Sequence, residues 1–131
     1  MNADPYDFPH YMCTLKNIIV EDGNTVYDSR DNCGCVIHTE SNSLYVSSTD
    51  CFIPNTVTSL SRGSFYQCKA PHISIPTSVT SIGKNAFMGC TGKVTYEGTV
   101  EQFTNIQKYN IFDNANNYTI ECSDGIFSSS N

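Results

Sequence analysis

Ile53-Pro-Asn-Thr-Val-Thr-Ser-Leu-Ser-Arg-Gly-Ser-Phe-Tyr-Gln-Cys68 is repeated 22 residues later as Ile75-Pro-Thr-Ser-Val-Thr-Ser-Ile-Gly-Lys-Asn-Ala-Phe-Met-Gly-Cys90. Seven of the sixteen aligned positions are identical, where average residue usage would give about one. A fixed period in the twenties predicts a stacked solenoid, in which each unit covers the apolar face of its neighbour. Stacking sets Ile53 beside Ile75, Val57 beside Val79, Leu60 beside Ile82, Phe65 beside Phe87 and Cys68 beside Cys90. These pairs are the predicted structural columns, with like side chains about 4.7–5 Å apart. A polar residue in any column would bury unpaired groups.

Each unit divides into three parts. A short strand, residues 51–53 or 73–75, ends at a proline, which cannot donate to a ladder. Residues 57–60 and 79–82 form the returning extended leg. Residues 63–68 and 84–90 close the unit with one helical or 3-10 turn that points Phe65 and Phe87 inward. The expected fold class is therefore a β-rich repeat solenoid: an α/β right-handed coil of short strands and one-turn helices, with a cap at each end.

The pattern Ile-Pro-x-x-Val-Thr-Ser-Ile-Gly-x-x-Ala-Phe-x-Gly-Cys closely resembles the BspA-like leucine-rich repeat, found in surface-exposed and secreted proteins of gut and oral bacteria and in some protists. The second copy fits it without a gap. The first departs at Ser61, where the family usually has Gly, and at Ser64, where it usually has Ala. Two flanks are similar to the family as well, residues 23–33 and 95–103, and the resemblance covers roughly residues 18 to 125.

Outward from the copies the chain changes character. Residues 1–14, rich in Pro, Asp and aromatics, are a leader that lies over the first coil or has no order. Residues 15–50 read as an elaborated N-terminal coil. Its first strand, 15–20, stops at the turn signal Glu21-Asp-Gly-Asn24, and residues 35–39 and 44–47 alternate as a hairpin. Residues 51–96 hold the two regular repeats and the next strand. Residues 97–125 read as a C-terminal capping unit, because an open stack end would expose strand edges. Within it Thr99-Val-Glu-Gln102 matches a capping box, which predicts about two helical turns through Phe103 and Ile106. Residues 118–122 are the last expected strand, and the Ser-rich remainder, residues 126–131 included, reads as a tail.

Composition narrows the function classes. The chain has 131 residues, a net charge of −6 and only seven Lys and Arg, which are scattered along the sequence. Such a chain is poorly suited to nucleic acid or anionic lipid. Charged residues make up 15%, and Ser, Thr and Asn carry the polar fraction, as in turn-rich extracellular modules. No apolar run reaches the roughly 18–20 residues that span a bilayer. The N-terminal stretch lacks the basic and apolar parts of a signal peptide. The chain is then either not exported or a mature or trimmed piece, and the resemblance implies the second, hence a cell-surface or secreted location.

Seven cysteines are an odd number, so at least one cannot pair within the chain. Cys68 and Cys90 occupy one repeat position and Cys51 aligns with Ile73, which makes them reduced packing residues inside the stack. Cys33-Gly-Cys35 with His38 shows only one of the two pairs a zinc site usually needs, so no metal or cofactor is expected. Cys68 and His72 bring a thiol near an imidazole, the minimum for nucleophilic catalysis, but Cys90, the equivalent of Cys68, has no such neighbour. Glu21, Asp22, Asp28 and Asp31 lack the alternation of a calcium loop and read as solvated charges. No enzymatic activity is expected. An enzyme using Cys33, Cys35 or Cys68 is the remote alternative.

What remains is the face of the sheet. In each strand two residues point inward and the middle one outward, which selects Ile19, Phe52, Ser74 and Thr95, with Thr119 beyond. Ile19 and Phe52 are large and apolar. Either the leader or a neighbouring chain covers them, or they form a binding patch. The sequence is therefore read as a non-enzymatic protein-binding or adhesion module. The resemblance implies as partner a host extracellular protein or another copy of the chain. The other reading is a structural spacer without a ligand.

Overall fold

The computed structural model describes residues 16–108, 110–112 and 118–129. The predicted leader lies outside these residues. Among them, ten strands and one α-helix follow in order: β1 (Tyr27–Asp28), β2 (Val36–His38), β3 (Ser43–Val46), β4 (Ser59–Leu60), β5 (His72–Ile75), β6 (Ser81–Ile82), β7 (Lys93–Tyr96), α1 (Val100–Thr104), β8 (Gln107–Lys108), β9 (Thr119–Cys122) and β10 (Gly125–Ser128).

The strands form two sheets, one of order β1-β2-β3-β4-β6-β8 and one of order β10-β9-β7-β5. Each sequence copy gives a strand to the six-stranded sheet, only the second gives one to the four-stranded sheet, and equivalent strands pair in parallel: β4 with β6, β5 with β7. The pairs continue into β8 and β9. The N–H of Thr80 donates to Thr58 O at 2.8 Å and that of Gly83 to Leu60 O at 2.7 Å. Copies alike in sequence thus lie side by side. Gly83 is required there, because a Cβ would come within 2.5 Å of the Arg62 nitrogen.

The turns repeat too. Phe65 N–H donates to Ala86 O and Phe87 N–H to Ile111 O. Consecutive i→i+3 bonds join Ser61 to Ser64, Gly63 to Tyr66 and Phe65 to Cys68. They do not grow into a helix, because left-handed residues interrupt them at matching positions: Gly63, Asn85 and Asn110, then Gln67 and Gly89. Only glycine adopts that conformation without cost, so Asn85 and Gln67 keep it through the bonds of the stack.

Between the sheets runs one core. Ile53, Ile75, Val57, Val79, Leu60, Ile82, Phe65, Phe87 and Cys68 are all buried. The ring of Phe87 lies 5.4 Å from Phe65 and 5.6 Å from Phe112. From Phe112 the rings pass to Tyr118, Phe127, Phe103 and Tyr96. Contacts of this kind are each worth about 0.5–1.5 kcal/mol beyond area burial.

The flanks correct the sequence reading in several places. Lys16 to Val20 form no strand; Ile18 and Val20 pack on a separate cluster of Tyr27, Val36 and Val46. Cys51 to Ile53 form none either, although Phe52 N–H bonds to Cys33 O at 3.0 Å. Helix α1 has the expected capping box but ends at Thr104, because the chain must turn at once into β8 to pair with β6. The expected tail holds β10, which pairs antiparallel with β9 and sends Phe127 onto the core. Cys51 and Cys90 are half-buried rather than enclosed. At Cys90 the thiol turns to donate to Phe65 O at 2.9 Å.

Candidate functional site

The outer face of the four-stranded sheet carries two of the four residues predicted for it. The register aligns Ser74 with Thr95, Thr95 with Glu121, and Glu121 with Ile126. The alternation that buries Ile73, Ile75, Val94, Tyr96 and Ile120 turns this row outward. Its polar groups pair with one another. Ser74 donates to Glu97 at 3.0 Å, His72 Nε2 lies 2.8 Å from Thr95 Oγ1, and Lys93 bridges to Glu121. Phe52 holds the position of Ser74 in the preceding copy and is 50% exposed. Ile126, at the β10 end of the row, is 63% exposed. Ile19, 70% exposed, lies on the segment that packs against β1–β3, apart from this row. Thr119 is exposed in β9 and pairs with Ser128.

The structure brings four thiols together, where the sequence set the Cys33–Cys35 pair apart from the packing residues Cys51 and Cys68. Cys33, Cys35 and Cys68 are buried, with Cys51 packed against them. Cys35 Sγ donates to Phe52 O at 3.4 Å and Cys68 Sγ to Ser48 O at 3.8 Å. Hydrogen bonds from Cys35 and then Cys68 hold the Cys51 thiol well below the ordinary thiol range. Cys35 is pushed up, first by Cys33 and then by Cys51. Cys68 is pushed up, first by Cys51 and then by burial. Cys33 is lowered as well, first by its hydrogen bond with Cys35. None of the six cysteines among the described residues forms a disulfide.

The remaining candidates are dispersed. His38 does not turn to Cys33 or Cys35; it stacks on Tyr45 at 5.4 Å and bonds to Ser41. His72 lies on the outer face while Cys68 is in the core, so that pair is divided between two sides of one sheet. In the acidic loop, Asp28 is held at about 2, first by its hydrogen bond from the Arg30 side chain. Arg30 reaches it through Nε and Nη2, both at 2.7 Å. Among the described residues no group of three or more His, Cys, Asp or Glu is arranged to hold a metal ion, and no helix is long and apolar enough to cross a membrane.

The family model for the BspA type leucine rich repeat region matches residues 37–130, in six copies. The chain belongs to this family. The match starts in β2 and runs past β10, so the repeat extends well beyond the two copies legible by identity. No curated protein and no solved structure gives a match. The family also gives the two departures of the first copy a physical meaning. Ser64, where alanine is usual, is buried and its hydroxyl has no partner. Ser61 stands where the second copy has Gly83, and its N–H pairs with Leu44 of β3 as that of Gly83 pairs with Leu60.

Sequence reasoning missed Ile126. Its signal was present in Gly125-Ile-Phe-Ser128, an apolar pair after a Ser-Asp turn, but the surrounding serines masked it.

Proposed function

We propose that this BspA-type chain is a non-enzymatic protein-binding module of a cell-surface or secreted repeat protein. It is a short solenoid whose two ends are closed by the β2–β3 and β9–β10 hairpins. The contact surface is the outer row of the four-stranded sheet. One observation carries the reading: two large apolar side chains are exposed, Ile126 at the end of an otherwise polar row and Phe52, which holds in sequence the place of Ser74 one copy earlier. Exposed apolar groups on a rigid frame are the usual anchors of an interface, and a few of them supply most of its affinity. Leucine-rich repeats often mediate protein interactions, which supports the same reading. The partner is a host extracellular protein or a second copy of the chain.

A structural spacer is the second reading, favoured by the internal pairing of His72, Ser74, Lys93, Thr95, Glu97 and Glu121. Phe52→Ser separates the two. It should leave the melting temperature unchanged, since exposed sites shift stability by no more than about 0.5 kcal/mol. It should weaken capture of a partner, or self-association in sedimentation, by about tenfold or more. Unchanged capture and unchanged sedimentation would favour the spacer, and a large loss of stability would put Phe52 in the core.

A further inference from the structure

We propose that Cys51 and Cys35 form a thiol–disulfide exchange site, in which Cys51 takes up a small disulfide and Cys35 resolves it into an internal Cys35–Cys51 bond. The backbone builds the site. Ser48 Oγ donates to Gly34 O at 2.7 Å, Phe52 N–H to Cys33 O at 3.0 Å and Cys35 Sγ to Phe52 O at 3.4 Å. These bonds hold residues 48–52 along residues 33–35, with Cys51 inside the held segment. Gly34 permits the approach, since a Cβ there would lie 3.1 Å from Ser48 Oγ and 3.3 Å from Asp50 O. Segments in such contact lie near the Cα separation that a disulfide spans, about 4.4–6.8 Å.

Burial gives the thiols different roles. Cys33, Cys35 and Cys68 are buried, and Cys51 is half-buried against them. A reagent in solvent therefore meets Cys51 first. The Cys51 thiol accepts hydrogen bonds from Cys35 and Cys68, which favour its thiolate, the form that attacks a disulfide. Exposure alone does not single it out, because Cys90 and Cys122 are half-buried as well. Their thiols donate to carbonyls instead, Cys90 to Phe65 O and Cys122 to Ile120 O, and these contacts keep the proton on sulfur.

The exchange runs in two displacements. The Cys51 thiolate attacks one sulfur of the small disulfide, that S–S bond breaks, and the leaving thiolate takes the proton Cys51 gave up. The Cys35 sulfur then attacks the Cys51 sulfur of the mixed disulfide, and its proton goes to the second leaving thiolate. Two protein thiols are oxidised to one disulfide, and one small disulfide is reduced to two thiols. Cys35 is the resolving partner rather than Cys68. Its sulfur faces the carbonyl of Phe52, next to Cys51, and it makes the stronger of the two hydrogen bonds to the Cys51 thiol. Cys33 and then Cys51 keep the proton on Cys35, and the second hold ends once Cys51 is capped.

The test uses hydroxyethyl disulfide, a neutral reagent that the chain's net charge of −6 does not repel. It is added to the folded whole chain carrying Cys13→Ser, which leaves the six thiols of the described residues. Acid-quenched samples are read by intact mass and by peptide mapping without reduction. The first adduct should map to Cys51, formed about tenfold or more faster than at Cys90 and Cys122. It should then give way to a Cys35–Cys51 link, with loss of two hydrogens from the chain. Cys35→Ala should stop at the Cys51 adduct, and Cys51→Ala should leave the buried thiols unmodified, with circular dichroism to show that each variant is folded. The mapping of the chain with all six thiols decides the matter even if a variant does not fold. A first adduct at Cys90 or Cys122, a link from Cys51 to Cys33 or Cys68, or a Cys51 adduct that persists beside an intact Cys35 would overturn the proposal. So would a Cys51 that reacts only on unfolding.

Discussion

Two antiparallel hairpins flank the paired copies, β2–β3 and β9–β10, yet the core beside them is filled in opposite ways. Beside β2–β3 lie Cys33, Cys35, Cys51 and Cys68, small thiols that are not bonded to one another. Under β9–β10 lie Phe103, Phe112, Tyr118 and Phe127, rings in mutual contact at 4.7–6.0 Å. A stack of like units has a constant cross-section, but its ends do not, because a hairpin adds a strand without adding a full coil. The filler has to change with the space. Lys108 marks the same transition, since it takes the register position of Leu60 and Ile82 but turns its ammonium to the carbonyls of α1.

That contrast predicts unequal costs for comparable deletions. Phe103→Ala should destabilise the chain by about 3–5 kcal/mol, the usual result of emptying a buried aromatic site. Cys35→Ala removes one sulfur from an equally buried site and should cost about 0.5–1.5 kcal/mol, in the range of losing one methyl. Denaturant unfolding of the two variants beside the native chain measures the difference, and equal costs would remove the contrast. Between the two ends, Ser64→Ala should raise stability by about 1 kcal/mol, because it removes a buried hydroxyl that has no partner. A loss of stability there would show that the hydroxyl is satisfied.

The smallest effect on stability and the sharpest chemical one belongs to Cys51. Its lowered proton affinity and partial exposure should make it the first thiol alkylated in the native state, at a pH below the ordinary thiol range near 8.5. Cys35 and Cys68 should resist until well above that pH, or until unfolding. The linkage has two signs. Cys51, depressed in the folded state, adds stability as pH rises toward the ordinary thiol value, and this is lost as pH falls through its folded value. Cys35 and Cys68, raised, withdraw stability as pH rises above that same ordinary value. Peptide mapping after brief alkylation across pH decides the order, and labelling of Cys90 or Cys122 before Cys51 would contradict it.

Much of the stacked centre was legible because two copies of one pattern at one offset leave few alternatives. Ile53 with Ile75 and Phe65 with Phe87 are read by identity alone. Phe112 continues that column but follows Phe87 by 25 residues instead of 22, so a fixed offset passes over it. The strand β10 was hidden because composition is an average: three consecutive serines near the end of the chain outweigh Ile126 and Phe127. The nearness of Arg62 to Lys84 was missed for a different reason. Charges look scattered when counted along the chain, and Arg62 and Lys84 meet only once the register is applied. The short length of α1 was out of reach as well, since a capping box sets where a helix starts and the demand of β8 sets where it stops.

The account rests on copies alike in sequence lying against one another in the core. A double-mutant cycle on Phe65→Leu and Phe87→Leu tests that contact most directly, by chemical unfolding of the native chain, the two single variants and the double. Rings stacked at 5.4 Å predict a coupling of about 0.5–1.5 kcal/mol. Additive effects, with coupling indistinguishable from zero, would contradict the stacking of the two copies.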